Sequence, residues 1–393
     1  MAVTSFLSDL GHEAQSTLLP GFMAALGLPP AALGAVEGAA DAASSFMKLL
    51  AGWFSDRLGR RKGLVVFGYL ATGLSSGLIA MASGWPLILG GKFFGWVGRG
   101  GKAPLRDALL TDSIPQEARG RAFGFHRAGD TLGAILGPLA AVGLMAWGAG
   151  HGLKPLALSR TLIAWTLVPG VLSALAFAFL VPERARIPRE RPSFRHALSR
   201  MPGSFRRLLA GVGCFGAGDF AHTMLILAAT QLLAPRLGLG RAAVWGGMLY
   251  VLHNVVYALS AYPVGAVADR TRNHRRILGL GYALGALVPL ALIPCFHRGW
   301  AGLPALAAIF ALAGLVSGIK DTLEGAASAD LIPAEHRGLG FGLLGGVNGV
   351  GDLVSSALVG ALWTLHPAAG FGYAAVLMVL GAGWLLYPNP DTV

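Results

Sequence analysis

Long apolar stretches recur along the whole chain, and they constrain its fold more than any other feature. Each is close to the roughly 20 residues that a helix needs to cross the hydrocarbon core of a bilayer. Only 13% of the residues are charged, whereas soluble domains carry about a quarter, so the chain cannot cover a water-facing surface with polar groups. The pattern predicts an all-α membrane protein.

Twelve of these stretches are long enough to cross a bilayer. They are predicted at roughly residues 4–26, 31–54, 63–83, 86–110, 122–148, 158–181, 206–233, 241–266, 277–296, 301–327, 340–364 and 370–387. An even number of spans puts both termini on one side of the membrane. Lys and Arg gather at the joints on that side, which the positive-inside rule predicts to be cytoplasmic. We therefore expect a multi-pass protein of a bacterial inner, or plasma, membrane.

The longest joint divides the chain into two parts of similar length. It covers residues 182–205 and is rich in Arg, which predicts a basic cytoplasmic linker. The flanking parts, residues 1–181 and 206–393, each contain six of the predicted spans. We predict two six-helix bundles joined by this linker, with no soluble domain.

The two parts also resemble each other in sequence. The segment GWFSDR near the end of the second span recurs as GAVADR near the end of the eighth. A second match starts at Asp112 and Asp330, and in the same register Lys102 falls on Lys320. Because these matches keep their order over several spans, they predict an internal repeat and therefore two pseudo-symmetric bundles.

The joint after the second span carries a glycine, aspartate and arginine pattern. It consists of Gly52, Asp56, Arg57, Gly59, Arg60 and Arg61. The pattern resembles motif A of the major facilitator superfamily, and Asp269 with Arg270 holds the corresponding place in a degenerate second copy. The resemblance implies a twelve-helix secondary transporter that works by alternating access. An aspartate at a helix end can accept bonds from a neighbouring helix N-terminus, so these residues are predicted to form a conformational latch, while the basic cluster meets anionic lipid headgroups.

The fourth span is similar to motif B of the same superfamily. It has Lys92 where an arginine is usual, and it also carries Arg99. Trp96 stands where glycine is common, so the sequence departs from the family pattern beside Lys92. A proton-relay role for Lys92 is therefore left open.

The fifth span resembles motif C, through Gly133, Gly137 and Pro138. In the family this motif is associated with exporters that work as antiporters, so the resemblance implies efflux. A packing face of small residues with a proline kink explains the same residues without any transport direction. Both interpretations remain open at this point.

Ionisable residues inside the membrane are candidate functional residues, because burying a charge in a bilayer costs several kcal/mol. The candidates for substrate binding or proton coupling are Asp9, His12, Glu13, Glu37, Lys102, Asp219, His222, His253 and Lys320. The basic members could attract an anion and the acidic members a cation. The identity and charge of the substrate remain open.

An Asp-x-x-His spacing occurs in both the first and the seventh spans. Asp9 and His12 form the first copy, and Asp219 and His222 form the second. Residues three apart share one face of a helix, so each pair is expected to face the same direction. The resemblance implies that both helices line the central cavity. The pairs could carry a coupling proton, or they could bind a divalent transition metal as substrate, as in ferroportin-like members of the superfamily.

Other classes of protein fit the sequence less well. No HExxH, GxSxG or P-loop pattern supports a membrane-embedded enzyme, and no cofactor is expected. The net charge of +12 comes from scattered joints rather than from a continuous basic stripe, so nucleic-acid binding is not expected. Cys214 and Cys295 both lie in apolar stretches and do not indicate a disulfide framework. We predict a monomeric, proton-coupled exporter of a small molecule or ion.

Overall fold

The computed structural model describes residues 1–55, 61–113, 119–183, 201–271, 273–299, 301–332 and 337–387, and these form helices joined by short turns. The helices of the first half are α1 (Ala2–Ala25), α2 (Pro30–Ser55), α3 (Lys62–Ala80), α4 (Trp85–Ser113), α5 (Arg119–Gly150), α6 (Pro155–Trp165) and α7 (Leu167–Leu180). Those of the second half are α8 (Gly203–Gly216), α9 (His222–Leu237), α10 (Leu239–Thr271), α11 (His274–His297), α12 (Leu303–Leu331), α13 (Arg337–Leu365) and α14 (Pro367–Leu386). Most of the predicted linker lies outside the described residues.

Eight helical segments of the described chain are long and apolar enough to cross a membrane, with α6 and α7 together forming one of them at Pro155–Leu180. The long helices α1, α2 and α4 are not among the eight, because they carry many of the ionisable residues singled out above. Helices α8 and α9 have 14 and 16 residues, fewer than the roughly 20 that a straight span needs. The predicted all-α membrane architecture is confirmed, whereas the count of twelve spans stays a prediction.

The seventh predicted span is interrupted. Helix α8 ends at Gly216 and α9 begins at His222, so the prediction of one continuous helix at 206–233 is wrong. A Cβ atom on Gly218 would lie 2.5 Å from the carbonyl oxygen of Ala374 in α14. Glycine is therefore required where the link between α8 and α9 passes close to the backbone of α14.

The halves share a hydrophobic core at one end and have separate cores at the other. The shared core packs Leu19 and Phe22 of α1 with Met224 of α9 and Leu306 of α12. At the opposite end, one cluster belongs to the first half, around Tyr69, and another belongs to the second half. The shared core therefore closes the space between the halves at one end only.

Two seams run between the halves. Helix α2 packs along α13, and α5 packs along α10. Glycines allow the close approach in the first seam, where a Cβ atom on Gly38 would lie 2.8 Å from the carbonyl oxygen of Leu353. Small residues let helix backbones approach closely where lipid supplies no hydrophobic force between them.

Candidate functional site

A cavity of about 220 Å³ lies between the halves, and both halves line it. Its polar and aromatic lining residues are Ser16, Glu37, Asp41, Lys92, Trp96, Asp219, Phe220, His222, His253, Ser317, Lys320 and Asp352. A single water needs only about 10–15 Å³ by this kind of measure, so the cavity is large enough for a small organic molecule. Five of the nine candidates for substrate binding or proton coupling are on its wall.

The first half contributes a buried ion pair to the cavity wall. The ammonium of Lys92 in α4 lies 3.0 Å from Oε1 of Glu37 in α2 and donates a hydrogen bond of 3.1 Å to its Oε2. The side chains are only 2% and 3% exposed. Because water screens this pair so little, removing either charge would leave the other buried and unpaired, at a high cost in free energy.

The second half contributes a more accessible ion pair. Lys320 of α12 donates to Oδ2 of Asp219 at 2.7 Å, and the two side chains are 26% and 23% exposed. Asp219 lies in the unwound link between α8 and α9, where its carbonyl oxygen accepts a hydrogen bond from Ser355 at 2.9 Å. An ion pair that faces the cavity from an irregular segment can exchange its partner more readily than one packed between two helices.

The remaining charges of the first half lie beside the cavity. Arg99 donates to Asp9 at 2.8 Å, which ties α4 to α1. Lys102 donates to Ser8 at 2.7 Å, and its ammonium lies 3.9 Å from the centre of the Tyr69 ring. Every one of these contacts stays within the first half, so they hold α1 against its neighbours.

Aromatic rings cover two regions of the site. In the first half, His12 meets the edge of Trp96 with 4.8 Å between ring centres. In the second half, the ring of Tyr250 lies beside both His222 and His253, with 4.8 Å and 5.5 Å between ring centres. The cavity wall therefore carries an indole from the first half and two imidazole rings from the second.

A hydrogen bond between a tyrosine hydroxyl of the second half and a carboxylate of the first half joins the two halves. The hydroxyl of Tyr250 in α10 donates to Oε2 of Glu13 in α1 at 2.8 Å. Nearby, the side-chain amide of Asn254 donates to the carbonyl oxygen of Ala134 in α5 at 2.8 Å. These contacts connect the polar groups of one half directly to the backbone and side chains of the other.

The two Asp-x-x-His pairs are not structurally equivalent. Asp9 and His12 both lie on the continuous helix α1, as predicted. Asp219 precedes the first residue of α9, so it does not share a helical face with His222, and that prediction is wrong. The unwound link between the helices directs Asp219 toward Lys320 instead.

The alternative interpretation, a divalent metal as substrate, requires a cluster of metal ligands, and the described residues contain none. Among them, no group of three or more His, Cys, Asp or Glu side chains is arranged to hold a metal ion. The rings of His222 and His253 are stacked 6.5 Å apart, and Asp219 is bonded to Lys320. The second Asp-x-x-His pair therefore does not form a metal site in this conformation.

Most of the motif A residues lie outside the described part of the chain. These are Asp56, Arg57, Gly59 and Arg60. Gly52 lies near the end of α2, and Asp269 and Arg270 lie near the end of α10. The latch therefore stays a prediction.

An acidic residue that the sequence analysis did not single out caps a helix beside motif A. The carboxylate of Glu183 accepts hydrogen bonds from the backbone N–H groups of Arg61 at 3.2 Å and Lys62 at 3.3 Å, where α3 begins. A negative charge at a helix N-terminus is favoured by the helix dipole. Glu183 thus holds the start of α3 to the end of the first half.

The motif C glycines have a packing role. A Cβ atom on Gly133 would lie 2.7 Å from the carbonyl oxygen of Phe6, and one on Gly137 would clash with the carbonyl oxygen of Leu10. Both contacts are with α1, and Pro138 lies within α5. Close packing of α5 on α1 therefore accounts for both glycines.

Two acidic lining residues were not among the predicted site residues. Asp41 of α2 and Asp352 of α13 both face the cavity. Each is an ionisable residue inside an apolar stretch, the same signal that pointed to Glu37 and Asp219. Nothing local in the sequence marks α2 and α13 as neighbours, so the sequence alone does not bring these two residues together.

A helical bundle that spans a membrane and encloses a charged cavity between two halves belongs to the class of membrane transporters. Comparison with known proteins identifies the family within this class. The family model described as Major Facilitator Superfamily matches residues 1–252 and 212–393. The chain belongs to the major facilitator superfamily, as the resemblance to motif A predicted. It is a multi-pass membrane transporter of a solute, and the prediction that it is not an enzyme agrees with this family.

Three relatives and one solved structure are similar over most of their length. An uncharacterised MFS-type transporter of Methanocaldococcus jannaschii is 27% identical over 98% of this chain and 93% of its own. The gallate transporter of Pseudomonas putida is 26% identical, covering 93% of this chain and 83% of its own. The 4-hydroxybenzoate transporter PcaK of Pseudomonas aeruginosa is 24% identical, covering 95% and 89%. The peptide transporter POT in complex with sulfate has the same fold, with a TM-score of 0.76, 16% identity and coverage of 98% and 92%.

Proposed function

We propose that this protein is a proton-coupled secondary transporter of small organic acids, and that aromatic carboxylates are its substrates. The observation that carries the proposal is the composition of the cavity wall. It combines a cavity-facing lysine, held by an exchangeable carboxylate, with aromatic rings from both halves. A carboxylate group and an aromatic ring are the two features of a substrate that such a wall would recognise.

The Lys320–Asp219 pair is the proposed binding point for the substrate carboxylate. Both side chains are about a quarter exposed to the cavity. A substrate carboxylate can therefore approach Lys320 and replace Asp219 as its partner. The Lys92–Glu37 pair is almost fully buried, so it is proposed to support the wall instead.

Trp96 supports the proposal that the substrate is aromatic. Its indole lines the cavity, and its buried Nε1–H has no hydrogen-bond partner among the described residues. A buried donor without a partner carries a penalty that a bound hydroxyl or carboxylate would relieve. The rings of Phe220 and His222, which also line the cavity, offer a second aromatic surface from the other half.

The relatives also favour organic acids. Two of them are named for gallate and for 4-hydroxybenzoate, and each aligns with more than nine tenths of this chain. Both compounds are aromatic carboxylates that bear hydroxyl groups. The agreement between their chemistry and that of the cavity wall supports this substrate class over sugars or metal ions.

Alternating access is the proposed mechanism, with two six-helix bundles at residues 1–181 and 206–393. The shared core at one end and the separate cores at the other fit a conformation that is open at the second end. Because the described basic residues Lys62, Arg206 and Arg270 lie at the end with separate cores, we propose that this end and both termini are cytoplasmic. A cysteine introduced at Arg270 should then react with an impermeant label only from inside, and one at Arg241 only from outside.

The proposed function does not specify whether the substrate is taken up or exported. Close packing explains Gly133 and Gly137 whichever way the substrate moves, so the export predicted from motif C has no further support. The gradients of proton and substrate set the direction in a reversible carrier. Efflux and uptake can be compared in the same liposomes by reversing these gradients.

Purified protein in liposomes tests the function. Radiolabelled 4-hydroxybenzoate should accumulate when the pH is lower outside than inside, and a proton-conducting ionophore should abolish the accumulation. Lys320→Met should lose transport and ligand-induced thermal stabilisation, because a ligand that binds only the folded state stabilises it. Lys154→Met, at the exposed start of α6, is the matched control and should behave as wild type.

Three results would contradict parts of the proposed function. They are stabilisation by divalent cations or sugars but not by aromatic carboxylates, equal ligand stabilisation of wild type and Lys320→Met, or accumulation of the acid that does not depend on the pH gradient. The first result would favour another substrate class, and the last would remove proton coupling.

A further inference from the structure

The seam between α2 and α13 brings two carboxylates to the same level of the cavity. A Cβ atom on Gly38 would meet the carbonyl oxygen of Leu353, whereas one on Gly349 would meet the side chain of Ser45. Rising numbers in α2 therefore pair with falling numbers in α13, so the two helices run antiparallel. The contact points also fix which face of each helix looks at the other.

Asp41 and Asp352 lie on these facing sides. Asp41 follows Gly38 by three positions, and Asp352 follows Gly349 by three positions. Residues three apart lie on one side of a helix, so each carboxylate projects toward the seam between the same two contact points. Both side chains also line the cavity.

These two carboxylates differ from the others around the cavity. Within the part of the chain that the structure describes, the side-chain carboxylates of Asp41 and Asp352 make no hydrogen bond or salt bridge. Glu37 is paired with Lys92, Asp219 with Lys320, and Glu324 accepts hydrogen bonds from Tyr282 and Asn348 at 2.6 Å. The seam thus holds two acids that have no fixed partner, one from each half.

Six other charged groups act on these acids, from both halves: Glu37, Lys48, Lys92, Asp219, Lys320 and Glu324. The ammonium groups of Lys92 and Lys320 are already bonded to carboxylates. Lys48, the remaining cation of this set, is attracted to both acids, so the fully ionised site would hold two carboxylates against one ammonium in a region of low dielectric constant. Two carboxyl groups in such a site share a proton more readily than they both ionise.

We propose that Asp41 and Asp352 together form the proton-binding site of this transporter and share one proton across the α2–α13 seam. The proposal rests on the proton coupling in the proposed function and assigns it to residues. With the proton bound, the O–H of one carboxyl donates to the other and links the halves. When the proton leaves, two negative charges repel each other across the seam and favour separation of the halves at this level. Proton binding and conformation are thereby coupled.

Infrared difference spectroscopy tests the proton site without any substrate. As the pH of reconstituted wild-type protein is raised from acidic to alkaline values, a protonated-carboxyl C=O band should disappear. Asp41→Asn and Asp352→Asn should each change the titration of this band, and the double variant should lose it. Asp330→Asn, on the exposed surface beside His274, is the control and should keep it. A band that survives in the double variant would overturn the proposal.

Transport assays separate proton binding from substrate binding. The double variant should lose accumulation of 4-hydroxybenzoate driven by a pH gradient, while it keeps exchange of labelled for unlabelled substrate at equal pH. A double variant that still accumulates substrate in response to the gradient would rule out the site. If wild type carries no organic acid at all, the proposed function fails, and the infrared experiment still decides the proton site by itself.

Discussion

The two halves place a buried tyrosine at equivalent positions but surround it with opposite charges. In the register that aligns GWFSDR with GAVADR, Tyr69 corresponds to Tyr282. The hydroxyl of Tyr282 donates to Glu324 at 2.6 Å. Tyr69 lies 3.3 Å from the hydroxyl of Ser5, which in turn accepts a hydrogen bond from Arg106 at 2.9 Å.

The charged partners also correspond to each other. In the register that aligns Lys102 with Lys320, Arg106 falls on Glu324. The repeat has therefore kept a tyrosine at the contact between helices while the charge beside it was reversed. The helix scaffold tolerates this change because Tyr69 and Tyr282 each find polar partners within their own half.

The first predicted span of each half also differs between the halves, in its continuity. Helix α1 is continuous and directs Asp9 toward Arg99 of α4. The corresponding part of the second half is broken between α8 and α9, and the link directs Asp219 toward Lys320 of α12. One half thus has a rigid element at this position, and the other has an irregular segment that faces the cavity. We infer that rigidity serves the scaffold in the first half and exchange of partners serves binding in the second.

The ion pairs of the two halves should differ most in their effect on stability. Lys92→Met leaves Glu37 buried without its partner, which should lower the free energy of unfolding by about 3–5 kcal/mol. Lys320→Met should lower it by only about 1–3 kcal/mol, because Asp219 stays partly exposed to the cavity. Thermal unfolding in detergent measures both variants.

A double variant gives the control for this prediction. Lys92→Met combined with Glu37→Met should recover part of the loss, since no unpaired charge remains. Equal melting temperatures for Lys92→Met and Lys320→Met would remove the distinction between a structural and an exchangeable pair.

Two tyrosine variants compare a bond between the halves with one inside a half. Tyr250→Phe removes the hydrogen bond to Glu13 across the halves, and Tyr282→Phe removes the bond to Glu324 within the second half. Each loss should lower stability by about 1.5–3 kcal/mol, the usual range for hydrogen bonds to charged groups. Only Tyr250→Phe should also shift the ratio of inward-open to outward-open molecules.

Labelling of single cysteines on each side of the membrane measures that ratio. Tyr282→Phe serves as the matched control, because it removes the same kind of bond without touching the contact between the halves. If both variants shift the ratio equally, the Glu13 contact has no special role in joining the halves.

Equivalent glycines should reveal the difference between a continuous and a broken helix. Gly133 packs against the backbone of α1, where an added Cβ atom would lie 2.7 Å from the carbonyl oxygen of Phe6. Gly351 packs against Gly216 where α8 ends, and an added Cβ atom would lie 2.8 Å from the carbonyl carbon of Gly216. Overpacking costs about 1–3 kcal/mol and the gain in helix propensity offsets about 1 kcal/mol, so Gly133→Ala should lose about 0–2 kcal/mol. Gly351→Ala should lose less, because the end of α8 can move.

Gly143→Ala provides the reference for the same measurement. No atom lies within 4 Å of a Cβ at this position of α5, so the substitution should raise stability by up to about 1 kcal/mol. A larger loss for Gly351→Ala than for Gly133→Ala would show that the broken helix is the more rigid of the two.

The sequence by itself determined the class and the family of this protein and located most of its helices. Apolar stretches of membrane-spanning length need no partner to be recognised, because each helix satisfies its own backbone hydrogen bonds in lipid. Motif A, together with the internal repeat that aligns Lys102 with Lys320, indicated which superfamily the chain belongs to. The high energy of a charge in the membrane also identified Glu37 and Asp219 as residues that require an explanation.

Only the tertiary structure decided which partner each of these residues meets. Lys92 and Glu37 are 55 positions apart, and Lys320 and Asp219 are 101 positions apart. The link after α8 lies close to the backbone of α14, a contact between residues distant in the sequence that no local pattern reveals. The pairing of Asp41 with Asp352 likewise depends on the antiparallel register of α2 and α13. Local chemistry fixes which residues carry charge, whereas helix packing fixes what each charge can do.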